Sequence, residues 1–117
     1  PVFLKQEDSV RAAVDAMVKS EQGCVLIMES GKLVGIVTER DILFKATSNS
    51  IDIDKIHLSV IMTKDPDILS ADAPVAYAMN AMSVGGFRHI PIIYADKSFK
   101  VLSVRRLLKH LSSQIGK

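Results

Sequence analysis

The apolar positions in the first half of the chain predict a helix followed by two strands. Four apolar residues recur at i, i+3, i+4 and i+7, as in an amphipathic helix of about 11 residues: Val10, Ala13, Val14 and Met17. Two short apolar runs, Cys24–Met28 and Leu33–Val37, flank the turn-forming residues Glu29–Lys32, which indicates a β-hairpin. A short strand at Val2–Leu4 and a last helix over Thr38–Ala46 complete a βαββα motif.

The second half of the chain repeats this pattern without gaps at an offset of 65 positions. Identical pairs at this offset include Val10 with Val75, Ala13 with Ala78, Met17 with Met82, Arg40 with Arg105 and Leu43 with Leu108. The predicted elements are a strand at Ile68–Leu69, a helix over Val75–Met82, strands at Ile90–Tyr94 and Phe99–Leu102, and a helix over Ser103–Ser113. Asp72 is the expected N-cap of the first of these helices, with Pro74 in its first turn and Gly85 and Gly86 at its end. Duplication of one motif explains such a match.

The repeat predicts an α+β fold made of two tandem βαββα motifs. We expect the first motif in residues 1–46, a polar linker in residues 47–62 and the second motif in residues 63–117. A motif of this size is too small for a robust core on its own. We therefore expect the two sheets to pack face to face with pseudo-two-fold symmetry, which would leave a cleft between the motifs.

Composition narrows the class of protein. The residues are 48% apolar but only 5% aromatic, so the core must be aliphatic. A net charge of +2 is too balanced for a nucleic-acid-binding polyelectrolyte surface, and no apolar run reaches the length of a membrane span. The single cysteine, Cys24, lies in an apolar run where a buried thiol is expected, and it fits a reducing, cytoplasmic location.

No catalytic or metal-binding motif is recognisable in the sequence. It lacks a P-loop, a GxSxG elbow and an HExxH pair. The histidines His57, His89 and His110 have no Cys or His at the spacing of a metal site. We therefore expect neither an enzyme nor a bound metal or resident cofactor.

The junction between a buried strand and a helix in the first motif carries the clearest polar signal. Thr38 stands at the junction and Asp41 follows three residues later, the spacing of a capping box. The same groups also suit a ligand, because a helix N-terminus attracts phosphate and a carboxylate can accept from both hydroxyls of a ribose. The sequence leaves both explanations open.

The second polar signal lies where Arg88 and His89 enter an apolar strand. Either residue alone would be explained as a solvated group at the strand edge. Together they place positive charge where an anion could bind.

These segments resemble the CBS-domain family, named after cystathionine β-synthase, over nearly the whole chain. The resemblance rests on GIVTERDIL at Gly35–Leu43, FRHIPII at Phe87–Ile93 and VLSVRRLL at Val101–Leu108, with VIMTKDP at Val60–Pro66 similar to the connector that opens a second motif. It implies a paired module that binds an adenine nucleotide, AMP, ADP or ATP, or S-adenosylmethionine, between motifs and regulates an attached or partner protein. It also implies a homodimer formed through helix faces.

The resemblance assigns the ligand site to particular positions. Thr38 and Asp41 match the family's hydroxyl and its ribose-binding aspartate, and Arg88 and His89 match its phosphate-facing pair. The remaining positions, near the base or the phosphates, are Ile36, Pro66, Asp67 and Arg105. The equivalent second cleft has Arg106 in place of Asp41. An arginine has only donors and cannot accept from a diol, so we expect one site per chain.

Two other functions stay open at this point. The module could be an interaction domain that holds no ligand and serves assembly. Alternatively, the basic residues of the last helix could bind nucleic acid: Arg105, Arg106, Lys109 and His110. A solvated helix face is the simpler explanation of those charges, and we expect no nucleic-acid partner.

Overall fold

A computed structural model describes residues 1–46, 52–86 and 88–115. The chain divides into two compact units, Pro1–Pro66 and Asp67–Lys117. Residues 47–51 of the predicted linker and Phe87, the first residue of the segment FRHIPII, lie outside the described residues.

The first unit contains a four-stranded sheet in the order β1-β2-β3-β4. Its elements are β1 (Phe3–Leu4), α1 (Val10–Ser20), β2 (Cys24–Glu29), β3 (Lys32–Thr38), α2 (Glu39–Asp41) continuing into a π-helical turn (Ile42–Ala46), α3 (Leu58–Ile61) and β4 (Thr63–Lys64). β1 runs parallel to β2, whereas β3 is antiparallel to both of its neighbours.

The second unit contains a three-stranded sheet in the order β5-β6-β7. Its elements are β5 (Leu69–Ser70), α4 (Val75–Gly85), β6 (His89–Ile93), β7 (Phe99–Ser103) and α5 (Val104–Ile115). β5 runs parallel to β6, and β6 is antiparallel to β7. The predicted βαββα order is therefore present in both units.

The duplication extends to individual main-chain hydrogen bonds. The Glu39 N–H donates to the carbonyl of Gly23 at 3.0 Å, and 65 positions later the Val104 N–H donates to the carbonyl of Arg88 at 2.9 Å. Both bonds join the start of a helix to the residue just before the first strand of the hairpin. The two strand–helix junctions are therefore built in the same way.

The start of α4 differs from the prediction. Pro74, not Asp72, is the N-cap, and it caps without a side-chain hydrogen bond. Asp72 belongs instead to a turn in which its N–H donates to the Ser70 hydroxyl at 3.2 Å. The prediction for Asp72 and Pro74 was wrong because this turn occupies the residues just before the helix. The predicted end was correct, since Gly86 is the C-cap with φ 71°.

The last helix of the first motif is not the uniform α-helix that the sequence suggests. After the three residues of α2 the chain widens into the π-helical turn Ile42–Ala46. In that turn Lys45 donates to the carbonyl of Ile61 in α3 at 3.1 Å. The turn thus makes a hydrogen bond to the segment that follows it in the unit.

The core of the first unit includes residues from the stretch predicted as a linker. Leu58 and Ile61 of α3 are 0% and 2% exposed and pack with Val10, Ile27 and Val37. Among the residues that the structure describes, the buried core cluster of the second unit is a smaller set: Leu69, Ala78, Met82, Ile90 and Leu107. None of the helices formed by the described residues combines the length and the apolarity needed to span a membrane.

Candidate functional site

Thr38 and Asp41 form a reciprocal capping box at the junction of β3 and α2. The Asp41 N–H donates to the Thr38 hydroxyl at 3.3 Å, while the Thr38 N–H donates to Asp41 Oδ2 at 2.9 Å. The Thr38 hydroxyl also lies 3.2 Å from the same carboxylate oxygen. The capping interpretation of this pair is confirmed, and it fixes the Asp41 carboxylate at the end of the strand.

The other carboxylate oxygen of Asp41 is paired with Lys45, a residue outside the predicted site. Lys45 Nζ lies 3.0 Å from Asp41 Oδ1, and the two side chains are 48% and 10% exposed. A carboxylate offers about four acceptor positions, and Thr38 and Lys45 take three of them. A ribose diol would need two. Binding of a diol would therefore require one existing bond to open, and the Lys45 side chain is the more exposed member of its pair with Asp41.

Ile36 lies two residues before Thr38 in β3, so the two side chains are on the same face of the strand. Ile36 is 5% exposed and pairs with Leu26 and with Thr63 of β4. Gly35 allows Met62 to pack closely against β3, because a Cβ at position 35 would lie 2.5 Å from the Met62 sulfur. The first unit therefore brings together Ile36, Thr38 and Asp41.

The equivalent junction in the second unit is cationic. His89 pairs with Ser103 in the sheet, as Cys24 pairs with Thr38 in the first unit. The Ser103 hydroxyl accepts from the Arg106 N–H at 3.1 Å, which preserves half of the capping box. The Arg106 side chain has only donors and cannot accept a hydrogen bond from the Ser103 N–H, so the reciprocal bond of the first unit cannot form.

Three predicted site residues meet at this second junction. His89 is the first residue of β6 and is half-buried, and Arg88, just before it, is exposed. The hydrogen bond from Val104 to the Arg88 carbonyl holds the first turn of α5 beside them, and Arg105 is the next residue of that turn. α5 has no acidic residue in its first turn. The junction therefore concentrates positive charge at a helix N-terminus, which itself favours anions.

Pro66 and Asp67 lie at the division between the two units. Pro66 is half-buried in the first unit, and Asp67 is exposed in the second. Just before them, Asp65 has φ 47° and its N–H donates to the Val34 carbonyl at 3.1 Å. The role that the resemblance gives to Pro66 and Asp67 remains a prediction.

Cys24 is an inert thiol at the first junction. It is 3% exposed, and burial raises its pKa to about 11. A thiol becomes nucleophilic only as the thiolate, so almost none is reactive near neutral pH. In the described part of the chain, no three His, Cys, Asp or Glu side chains come together as a group that could hold a metal ion.

The family model for the CBS domain matches residues 1–47 and 58–113. The chain therefore belongs to the CBS-domain family, and the resemblance drawn from the sequence is confirmed. The two matched segments correspond to the two copies of the motif.

Individual relatives agree with this assignment. An uncharacterized 17.7 kDa protein of Acidianus ambivalens is 36% identical over 120 residues, which are 97% of this chain and 71% of that protein. The CBS domain-containing protein CBSCBSPB1 of Arabidopsis thaliana is 29% identical over 83% of this chain. This chain spans only 18% of that plant protein, so what the whole plant protein does is not carried over.

Solved structures share the fold. The crystal structure of the CBS domain NE2398 superimposes with a TM-score of 0.86 at 28% identity and covers 94% of this chain and 86% of that one. A CBS domain protein of Pyrobaculum aerophilum, solved in complex with AMP, gives a TM-score of 0.81 at 24% identity over 97% of this chain and 92% of its own. The predicted α+β fold of two CBS motifs is thus confirmed.

Proposed function

We propose that this protein is a regulatory module that senses an adenine nucleotide, of the AMP, ADP and ATP or S-adenosylmethionine class. The observation that carries the proposal is the opposite chemistry of the two equivalent strand–helix junctions. The first presents the Asp41 carboxylate, and the second presents Arg88, His89 and Arg105. A nucleotide needs both, since its ribose donates hydrogen bonds and its phosphates attract cations.

Each residue has a defined part in the proposal. Asp41 accepts from the ribose hydroxyls after Lys45 moves away, and Thr38 keeps the carboxylate oriented. Arg88, His89 and Arg105 hold phosphate. Ile36, Pro66 and Asp67 lie near the base, as the family resemblance implies. The AMP complex of the Pyrobaculum aerophilum protein supports adenine as the base but was seen in that protein only.

In this proposal the protein regulates another protein and does not convert a substrate. We propose a homodimer in the cytoplasm that changes its contacts with a regulated partner when nucleotide binds. The single buried cysteine supports a reducing location. Neither nucleic acid nor a membrane is part of the proposal.

A ligand-free assembly domain is the second candidate. Large apolar side chains that stand exposed on the helical segments favour it: Leu43 at 62%, Phe44 at 65% and Leu108 at 59%. Exposed apolar side chains of this kind often mark protein contacts.

Thermal unfolding with a panel of AMP, ADP, ATP and S-adenosylmethionine separates the two functions. A ligand present at about one hundred times its Kd adds about 2.7 kcal/mol to the free energy of unfolding. We expect one of the four to raise the unfolding temperature, with guanosine monophosphate as the matched control. No response to any of them would favour the assembly domain.

A further inference from the structure

Lys45 connects the proposed ribose acceptor to a second helix of the first unit. Its ammonium lies 3.0 Å from Asp41 Oδ1 and donates to the Ile61 carbonyl at 3.1 Å. Asp41 is the last residue of α2, and Ile61 is the last residue of α3. One side chain therefore joins the ends of two helices that are separate in the chain.

The π-helical turn places Lys45 between these two acceptors. Lys45 stands at i+4 from Asp41, a spacing at which side chains on a helix meet. Ala46, which ends the turn, is 2% exposed and belongs to the same buried cluster as Ile61. The turn is thus packed against the core beside α3, which brings the Lys45 ammonium to the end of that helix.

The Ile61 carbonyl needs a partner from outside its own helix. The last carbonyls of a helix find no N–H within it, and a lysine side chain is one of the groups that can bind them. α3 has no basic residue in its last turn. Lys45 therefore caps α3 from a neighbouring element.

The chain after α3 returns to the strand that carries the proposed site. Met62 alone separates α3 from β4, and Thr63 of β4 pairs with Ile36 of β3. The segment formed by α3 and β4 is thus connected to the proposed site twice, at Ile36 through the sheet and at Asp41 through Lys45. The sheet pairing is main chain, whereas the second connection depends on one side chain.

A ribose diol would compete with Lys45 for Asp41. Both hydrogen bonds from Thr38 go to Oδ2, whereas Lys45 binds Oδ1. A carboxylate oxygen accepts about two hydrogen bonds, so one position on Oδ1 remains for a single hydroxyl. A second hydroxyl needs a position that is taken. The Thr38 donors are fixed by the capping box, but the Lys45 side chain is flexible and 48% exposed, so water can replace the bonds of its ammonium.

We propose that Lys45 is a displaceable bridge between the nucleotide site and α3. Without ligand it binds Asp41 and Ile61 together. When a ribose diol takes its place on Asp41, the remaining bond to a neutral carbonyl is hardly better than a bond to water, so Lys45 also leaves Ile61 and α3 loosens. This inference rests on the proposed nucleotide function and adds how binding is transmitted within the first unit.

Lys45→Met tests the competition, because it keeps the aliphatic stem and removes the ammonium. The ligand is whichever of AMP, ADP, ATP and S-adenosylmethionine raises the unfolding temperature. Titration calorimetry should show about two- to fivefold tighter binding to the variant, the range that one ion pair of this kind contributes. Lys32→Met removes the same charge at the other end of β3 and should not tighten binding.

The sign of this change is decisive. A lysine that held the phosphates would make Lys45→Met bind more weakly than the native protein. Weaker binding, or an affinity equal to that of the native protein, would overturn the proposal.

Hydrogen exchange of the Met62 amide, measured by NMR, reports on the other end of the bridge. This N–H closes α3 by donating to the Leu58 carbonyl at 2.9 Å. Ligand should speed its exchange about two- to fivefold in the native protein, by the same ion-pair energy. In Lys45→Met the exchange should already be faster without ligand and should not increase further. Slower or unchanged Met62 exchange on ligand binding to the native protein would overturn the proposal.

A 2′-deoxy analogue of the ligand separates displacement from binding alone. It presents a single hydroxyl, for which Oδ1 of Asp41 still has a position. The analogue should therefore bind without speeding the exchange of the Met62 amide. Equal acceleration by the two ligands would show that the diol does not displace Lys45.

The bridge can also be tested without ligand. Asp41→Asn removes the charge that Lys45 binds but keeps an oxygen for the Thr38 N–H. The effects of Asp41→Asn and Lys45→Met on Met62 exchange should be non-additive, because each removes the same bridge, and additive effects would overturn it. The absence of any thermal shift would instead defeat the nucleotide proposal, and the ligand-free bridge would then be judged by this cycle alone.

Discussion

The carboxylate of Asp41 is bound by the main-chain N–H of Thr38 at 2.9 Å, three residues earlier in the chain. The reciprocal bond from the Asp41 N–H to the Thr38 hydroxyl closes the capping box. The carboxylate therefore stabilises the helix start whether or not a ligand is present. Any test of a ligand role for Asp41 has to measure stability and binding separately.

Removing the hydroxyl of Thr38 should lower stability without ligand. Thr38→Val loses both hydroxyl bonds, and the expected loss is about 1 kcal/mol of unfolding free energy. Thr38→Ser keeps a hydroxyl at the same place and should lose much less. Ser103→Ala should lose less than Thr38→Val, since the second junction lacks the reciprocal bond. Urea denaturation measures all three, and equal stability of Thr38→Val and Thr38→Ser would show that the cap is not stabilising.

Cys24 makes stability fall at high pH. Folding raises its pKa from 9.0 to about 11, so the neutral thiol stabilises the fold fully below about pH 9. This contribution is lost as pH rises from 9 to 11, by up to about 1.4 kcal/mol per pH unit.

Cys24→Ala isolates that effect from the titration of lysines and tyrosines. The difference in unfolding free energy between the native protein and the variant should shrink from pH 9 to pH 11. A constant difference would mean that the thiol does not resist ionisation in the fold.

Nucleotide affinity should rise as pH falls from about 8 to about 6 if His89 faces the phosphate. A bound anion favours the protonated imidazole, and an ordinary histidine titrates near pH ~6.5. Since the phosphate of the ligand also titrates in this range, the native profile is compared with that of His89→Gln. The rise should be absent in the variant, and identical profiles would remove His89 from the site.

The chain should form a two-fold homodimer through its exposed helical apolar residues. Leu43 and Leu108, equivalent by the repeat, are 62% and 59% exposed. The double substitution Leu43→Glu and Leu108→Glu should give a monomer in sedimentation velocity at roughly tens of micromolar, a range in which association depends on concentration. Lys32→Glu, at the exposed first residue of β3, is the control that should stay dimeric. A native protein that sediments as a monomer would contradict the prediction.

The parts of the fold that the sequence predicted are those with a clear apolar pattern. α1 follows from an apolar period of about 3.6 residues, both hairpins follow from short apolar runs on either side of turn-forming residues, and the 65-residue repeat doubled each signal. α3 was missed because its four residues are too short to show a period and follow a polar stretch. Only packing reveals that Leu58 belongs to the core of the first unit.

The candidate site also combines features that the sequence predicted with features that it did not. The pairing of Thr38 with Asp41 is local, so spacing alone predicted it. Asp41 and Lys45 stand at i and i+4 of the helix predicted over Thr38–Ala46, so spacing alone could have indicated their ion pair, although the sequence does not indicate that Lys45 lies in a π-helical turn. The phosphate-facing role of Arg88 and His89 came from the family resemblance and still rests on it.

Titration calorimetry with the nucleotide that raises the unfolding temperature tests the central claim most directly. Asp41→Ala should weaken binding at least about tenfold, because each lost hydrogen bond to a charged acceptor costs roughly 1.5–3 kcal/mol. Arg106→Ala, at the equivalent position of the second unit, should bind like the native protein. We expect about one nucleotide per chain. Two equal sites per chain would contradict the proposed site, and so would an Asp41→Ala variant that is less stable yet binds normally.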